Sequence, residues 1–180
     1  MAIEIERRFL VRDPPAAFAA AGMTRWRRIT QGYFGRIDRL RIRVRIRSDE
    51  SGDCTALLTF KGARRGLCRL EYEYPLALDL ARRALISLPP ARVILKMRYD
   101  IHHHDGLVWS VDRFEGPNRG LIVAEVELTH PDQHVELPHW VGEEVTFDPR
   151  YGNSRLARSP MPLLARATDS PCQRRVSCLL

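Results

Sequence analysis

Polar and apolar positions alternate with a period of two along most of the chain. In "IEIERRFLV", an extended strand puts Glu4, Glu6 and Arg8 on one face, and Ile3, Ile5, Arg7 and Phe9 on the other. "RRITQGYFG" predicts a second strand. "LRIRVRIR" predicts a third, in which Leu40, Ile42, Val44 and Ile46 alternate with Arg41, Arg43, Arg45 and Arg47. "CTALLTFKG" follows with Thr59 and Lys61 on one face, and "LCRLEYEYP" brings Arg69, Glu71 and Glu73 together. "VILKMRYDIHHH", "LVWSVDRFEG" and "LIVAEVELTH" complete the series. They present Lys96 with Arg98, then Asp112, then Glu125 with Glu127. Asp38 and Asp105-Gly106 read as turns.

Two stretches leave this alternation. "DPPAAFAAAG" predicts a short helix, with Asp13 able to cap it, Pro14 in its first turn and Gly22 ending it. "LDLARRALISL" has Leu78, Ala81, Leu85 and Leu88 at helical spacing, stopped by Pro89-Pro90. After Pro131 the pattern turns irregular, and "PHWVGEEVTFDPRYGNSRLA" predicts a loop leading into a short helix capped by Asp148. From Ser159 the chain is rich in Pro, Ser and Arg without periodicity, the composition of a disordered tail. The sum is a mostly β (α+β) chain: about eight strands in meander order, with short helices inserted. It predicts one domain over residues 1–158 and a basic tail over 159–180, with no internal repeat.

Composition narrows the class. A length of 180 residues suits one domain with a sizeable core. Four charges in the first ten residues argue against a secretory signal. No apolar run approaches the roughly 20 residues of a membrane helix, so the expected location is the cytoplasm and no membrane partner is expected. Cys54, Cys68, Cys172 and Cys178 have neither CxxC nor zinc spacing and read as reduced. The net charge is +7, but five arginines and one aspartate from Arg155 onward leave only +3 for the first 154 residues. That tail points weakly to nucleic acid and the main body does not. A homodimer is left open.

The charged members of the alternating strands admit a plain reading, as solvated outer faces. Against it, single-sign clusters sit on particular strands, and Arg outnumbers Lys. Arg suits bidentate contact with phosphate, and Glu and Asp suit hard cations such as Mg²⁺. If the sheet closed with this face inward, a bare cationic lumen would be costly, whereas polyphosphate and a divalent metal would neutralise it. That is the chemistry of phosphoryl transfer. HExxH, GxSxG and GxxxxGK[ST] are absent. His102 to His104 adjoin the Asp105-Gly106 turn and read as a hairpin tip, and Trp109 reads as packing that faces away from Asp112.

"EIERRFLV" resembles the ExExK signature of CYTH domains, the triphosphate tunnel metalloenzymes. "GYF", "RIRVRIR", "TFKG", "RLEYEYP", "KMRY", "WSVD", "AEVEL" and "GEEVTFDPRYGN" resemble the later family segments, in order, over Ile3 to Ala157. The resemblance implies a closed eight-stranded antiparallel β-barrel, the triphosphate tunnel, with a few short helices outside. It further implies hydrolysis of a linear triphosphate with Mg²⁺ or Mn²⁺, inorganic tripolyphosphate being preferred. A class IV-type adenylate cyclase, a thiamine or nucleoside triphosphatase, and a non-catalytic polyphosphate or RNA 5′-end binder are the alternatives. By position, Glu4, Glu6, Glu125 and Glu127 match metal-binding carboxylates, with Asp112 a further lumen position grouped with them. Arg43, Arg45, Lys61, Lys96 and Arg98 match triphosphate-gripping cations, joined by Arg69, and Glu71 is another lumen position. Tyr33 matches a tyrosine that works with the signature lysine, so Arg8, Tyr33 and Glu6 are the implied catalytic set. The chain departs from the signature at Arg8, where the family has lysine. Arg cannot act as a base, so a proton would pass to a lumen carboxylate such as Glu6 or Glu127, or be handled at the metal. "GEEVTFDPRYGN" is implied to close one tunnel mouth, with Glu144 the glutamate to watch.

Overall fold

The structure, a computed structural model, describes residues 2–12 and 26–161. The helix expected around Pro14 and the tail beyond Met161 lie outside these residues. Strands β1 (Ala2–Val11), β2 (Trp26–Ile37), β3 (Leu40–Asp49), β4 (Cys54–Arg65) and β5 (Cys68–Pro75) come first. Helix α1 (Leu78–Ile86) follows, then β6 (Val93–His102), β7 (Val108–Phe114), β8 (Ile122–Glu127), β9 (Val141–Glu144) and α2 (Asn153–Arg158). Every pairing is antiparallel, in the order β5-β4-β3-β2-β6-β7-β8-β1-β9. β1 also pairs with β5 through Ala2–Ile5 and with β8 through Glu6–Leu10, which closes eight strands into a ring. Closure leaves no long edge to template aggregation.

β9 differs from expectation, since its segment reads as loop. Only Phe9 and Val11 pair with it, on the stretch of β1 beyond the residues that bond to β5. Four residues without clear alternation carry no strand signal.

The apolar core lies outside the ring. Phe9, Ile101, Trp109, Val111, Ala124 and Val126 face outward and are covered by Leu128, Val135 and Trp140 of the segment after β8. Trp109 is fully buried between Phe9 and Trp140, with ring centroids 5.5 and 5.6 Å away. α1 packs Ala81 and Leu85 on Val44 and Ala56, the outward residues of β3 and β4. Because the side-chain period is two, burying this outer face turns the charged face into the lumen. Towards one end, Ile94, Phe114 and Val123 take the next same-face positions after Lys96, Asp112 and Glu125. There they pack with Val145, Tyr151 and Leu156 as an apolar plug. Among the described residues no helix is long and apolar enough to cross a membrane.

Candidate active site

The ring encloses a cavity of about 1210 Å³. Its lining carries twelve Arg or Lys side chains against eight Asp or Glu, a net of four positive charges. β3 contributes Arg41, Arg43, Arg45 and Arg47 from alternate positions. Across the ring, β1 and β8 contribute Glu4, Glu6, Arg8, Glu125 and Glu127, with Glu6 directly opposite Glu127 and Arg8 opposite Glu125. One wall is therefore mainly cationic, and the wall across from it is rich in carboxylate.

Arg8 is clamped within that second wall. Its Nε donates to Glu125 Oε1 at 2.9 Å and its Nη2 to Glu6 Oε1 at 2.9 Å. Burial opposes its charge, but Glu125 and Glu6 more than offset that and raise its pKa. Arg8 is thus a fixed cation and no base. Arg98 donates Nε and Nη2 to the two oxygens of Asp112, at 2.7 and 2.6 Å, and Nη2 also reaches Glu125 Oε2 at 2.6 Å. Despite desolvation by burial, Arg8, Arg98 and Lys96 hold the Glu125 carboxyl well below its usual value of 4.5.

Two expected positions fall elsewhere. Lys96 and Asp112 are fully buried and do not line the cavity. Lys96 Nζ donates to Asp112 Oδ2 at 2.5 Å and lies 3.4 Å from Asn153 Oδ1. Asp112 accepts from Lys96 and Arg98 and so anchors Arg98 behind the cavity lining. Burial pushes the Lys96 ammonium down to about 7 even though Asp112 raises it.

The cationic wall is under-neutralised. Arg45 is 8% exposed and has no carboxylate partner among the described residues; its Nε donates to Gln31 Oε1 at 3.2 Å. Burial, then the charges of Arg43, Arg98 and Arg47, push its pKa from 12.5 to about 9. Gln31 Nε2 in turn donates to Tyr33 Oη at 2.8 Å, which leaves the phenol proton free to donate. Burial pushes the Tyr33 hydroxyl up to about 12, against Arg43 and Arg45. Arg43 Nη2 reaches Thr59, Glu71 and Glu73 at 3.1 Å each, and Lys61 Nζ bridges Glu4 Oε1 at 2.6 Å and Glu71 Oε2 at 2.8 Å. Buried N–H groups of Arg43, Arg47, Arg64 and Arg69 have no acceptor among the described residues. Buried donors are normally paired, so four such groups around one cavity give its wall unspent hydrogen-bonding capacity for an anion.

Several lining residues lie beyond the sequence prediction. Arg41 and Arg47 simply extend the parity of Arg43 and Arg45. Arg64 reaches Glu6 Oε1 at 2.5 Å because the β4–β5 register shifts between Lys61 and Arg64. Arg27 pairs with Asp100 near one rim. Residues 146–149 and 152–155 also line the cavity, and Thr146 Oγ1 accepts from Arg8 N at 2.9 Å. Glu144 instead takes a two-pronged ion pair with Arg7 and does not line the cavity. His103 and His104 sit at the β6–β7 turn, where His104 Nε2 lies 3.1 Å from Glu136.

A closed antiparallel ring with a hydrophobic exterior and a cation-rich lumen defines a polyanion-binding β-tunnel. A family model for the CYTH domain matches residues 2–158, and the chain belongs to that family. It is 38% identical over 160 residues to an inorganic triphosphatase of Acetivibrio thermocellus, spanning 89% of this chain and 96% of that one. With an inorganic triphosphatase of Nitrosomonas europaea it shares 34% identity over 160 residues, covering 87% and 97%. The crystal structure of the inorganic triphosphatase NE1496 superposes with a TM-score of 0.62 at 31% identity, over 90% of this chain and 98% of that one. The PH1819 protein from Pyrococcus horikoshii has the same fold at 20% identity and a TM-score of 0.54.

Proposed function

We propose that this chain is a metal-dependent hydrolase of linear triphosphates, acting on inorganic tripolyphosphate inside the β-ring. The observation that carries the proposal is the set of buried, unpaired guanidinium donors facing a carboxylate wall across the lumen. The two relatives named inorganic triphosphatase match nearly their full length and support the reaction class.

The carboxylate wall fits a hard divalent cation. Among the described residues no side chain donates to Glu127, and burial, then Glu4, Glu6 and Glu125, raise its carboxyl against Arg98. Glu6 faces it directly. Such crowding of like charge is what a cation relieves. Among the described residues no three ligating side chains form a ready cage, which suits Mg²⁺ or Mn²⁺ held by one or two carboxylates plus substrate oxygens. Glu4 and Glu127, with Glu6 and Glu125 alongside, would hold it, and there it supplies neutralisation of charge on the phosphate oxygens.

The chain's own groups do the rest. Arg45 presents the fork of its two terminal nitrogens to non-bridging oxygens, and Arg43 and Arg98 offer the donors that their carboxylate partners leave free, while Lys61 and Arg69 extend the grip. Tyr33 Oη donates to a phosphoryl oxygen. Arg8 stabilises developing charge as a permanent cation. Glu6 Oε2 accepts no hydrogen bond among the described residues, because Arg8 and Arg64 both use Oε1, and it takes the proton of the attacking water. The test is incubation with tripolyphosphate and Mg²⁺ or Mn²⁺, with ATP in parallel. Orthophosphate and pyrophosphate in equal amounts are expected. Cyclic AMP from ATP, or no release above a Glu4→Gln control, would overturn the proposal.

A further inference from the structure

Gln31 lies between two groups of the lumen wall and belongs to neither the cation row nor the carboxylate wall. It stands on β2 directly opposite Arg45 of β3, and opposite Ile94 of β6 on its other side. Its side chain is fully buried and does not line the cavity, whereas Arg45 and Tyr33 do. A buried amide has to find its hydrogen bonds inside the protein. Gln31 finds one at each end: Oε1 accepts from Arg45 Nε at 3.2 Å, and Nε2 donates to Tyr33 Oη at 2.8 Å.

The direction of both bonds follows from Arg45. A guanidinium nitrogen only donates, so the carbonyl end of the amide has to face it. That sets the amide nitrogen on Tyr33, and an amide nitrogen also only donates. Tyr33 Oη is thereby the acceptor, and its single proton is turned away from Gln31. That proton has no acceptor among the described residues. Burial keeps it in place, pushing the hydroxyl up to about 12 against the pull of Arg43 and Arg45. Arg43 stands directly opposite Tyr33 on β3, so the phenol donor sits among cations and gains a partner when an anion enters.

We propose that Gln31 is a positioning residue that relays the donor polarity of Arg45 to Tyr33, so that the phenol proton points into the lumen before any anion enters. This rests on the triphosphate reading of the lumen, in which Tyr33 meets a phosphoryl oxygen. Holding a donor in its bonded direction in advance removes an ordering cost from the bound state. A glutamate in the same place would reverse the relay. Ionised beside Arg45, its carboxylate accepts from Arg45 and from the Tyr33 O–H alike, so the shape is kept and the polarity of Tyr33 is lost.

The test compares Gln31→Glu, Gln31→Met, Tyr33→Phe and the double variant Gln31→Glu/Tyr33→Phe on tripolyphosphate with Mg²⁺ or Mn²⁺. Gln31→Glu should lower kcat about tenfold, as Tyr33→Phe does, and the double variant should fall no more than about twofold below either single one. The charge it adds beside Arg45 acts on KM, in both backgrounds alike. Gln31→Met leaves the phenol proton free to rotate into the lumen, so its kcat should fall by only about threefold. Melting without ligand should run the other way, with Gln31→Glu at or above wild type and Gln31→Met below it. A space-filling role predicts the reverse order of activity, the isosteric Gln31→Glu being the less affected. NMR of the tyrosine Cζ atoms, with Tyr33 assigned by Tyr33→Phe, reads the relay without turnover. In the ligand-free protein the Tyr33 signal should lie downfield in Gln31→Glu relative to wild type, and tripolyphosphate should move it downfield in wild type only. A Gln31→Glu kcat within about twofold of wild type, or losses of Gln31→Glu and Tyr33→Phe that multiply, would overturn the proposal. So would a Tyr33 signal that Gln31→Glu leaves in place. The expected NMR pattern in a protein that releases no phosphate would sink the enzymatic reading alone.

Discussion

Arg45→Met should make the ligand-free protein more stable while weakening its hold on tripolyphosphate. Arg45 is buried, has no carboxylate partner among the described residues, and lies among Arg43, Arg98 and Arg47. Depression of its pKa from 12.5 to about 9 sets the cost of its charge on the order of 5 kcal/mol, at about 1.4 kcal/mol per pH unit. Truncation also strips Gln31 Oε1 of its donor inside the lumen, a loss of roughly 1–3 kcal/mol. The net is a gain of about 2–4 kcal/mol, or a Tm rise of about 4–16 °C at ~2–4 °C per kcal/mol for a domain of this size. Thermal unfolding in metal-free buffer measures it. The same scan with tripolyphosphate at about 100 times its Kd should raise wild-type stability by ~2.7 kcal/mol and the variant's by less than about 1 kcal/mol. A variant that melts lower than wild type without ligand would refute the idea that the lumen stores uncompensated positive charge for an anion.

Other substitutions probe separate parts of the account. Arg8→Lys should retain tripolyphosphatase activity within about tenfold, since either cation stabilises charge, whereas Arg8→Met should lose at least about 100-fold in kcat; equal loss in both would contradict an electrostatic role. Glu125→Gln should flatten the acid limb of stability. The folded carboxyl lies well below 4.5, so its contribution is present above that value and lost as pH falls below it, and Tm against pH from 6 to ~2 should fall less steeply in the variant. Trp109→Ala should cost about 3–5 kcal/mol in chemical denaturation yet leave the KM of the residual folded enzyme unchanged, because Trp109 packs outside the ring. Tyr33→Phe should lower kcat by roughly tenfold or more with no new acid limb, since the phenol is high at about 12 and acts by donating a hydrogen bond.

Much of the architecture is legible in the sequence because a strand's period of two exposes both its faces at once. In β3 the same eight letters specify the outer residues that α1 covers and the arginines that line the lumen. Ring closure is less legible, since it depends on Ala2–Ile5 and Glu6–Leu10 pairing with different strands. Parity also fails where the register shifts. Arg36 and Arg64 stand opposite Arg41 and Arg69 only through bulges, and a one-residue slip leaves no signature beyond a nearby glycine, Gly35 or Gly62. Depth along the lumen is invisible too. Lys96 and Asp112 share the inward face but sit next to the apolar plug of Ile94 and Phe114, so they form a buried pair behind the cavity lining. Glu144, four residues from the helix-leading "DPR", turns out to hold Arg7 because β9 pairs with β1.

A crystal structure of the protein with tripolyphosphate and Mn²⁺, phased to reveal anomalous scattering from manganese, tests the central claim most directly. The phosphate chain is expected within the ring against Arg43, Arg45 and Arg98, with manganese on the side of Glu4 and Glu127. Phosphate density confined to the outer surface, or manganese away from those carboxylates, would contradict the account.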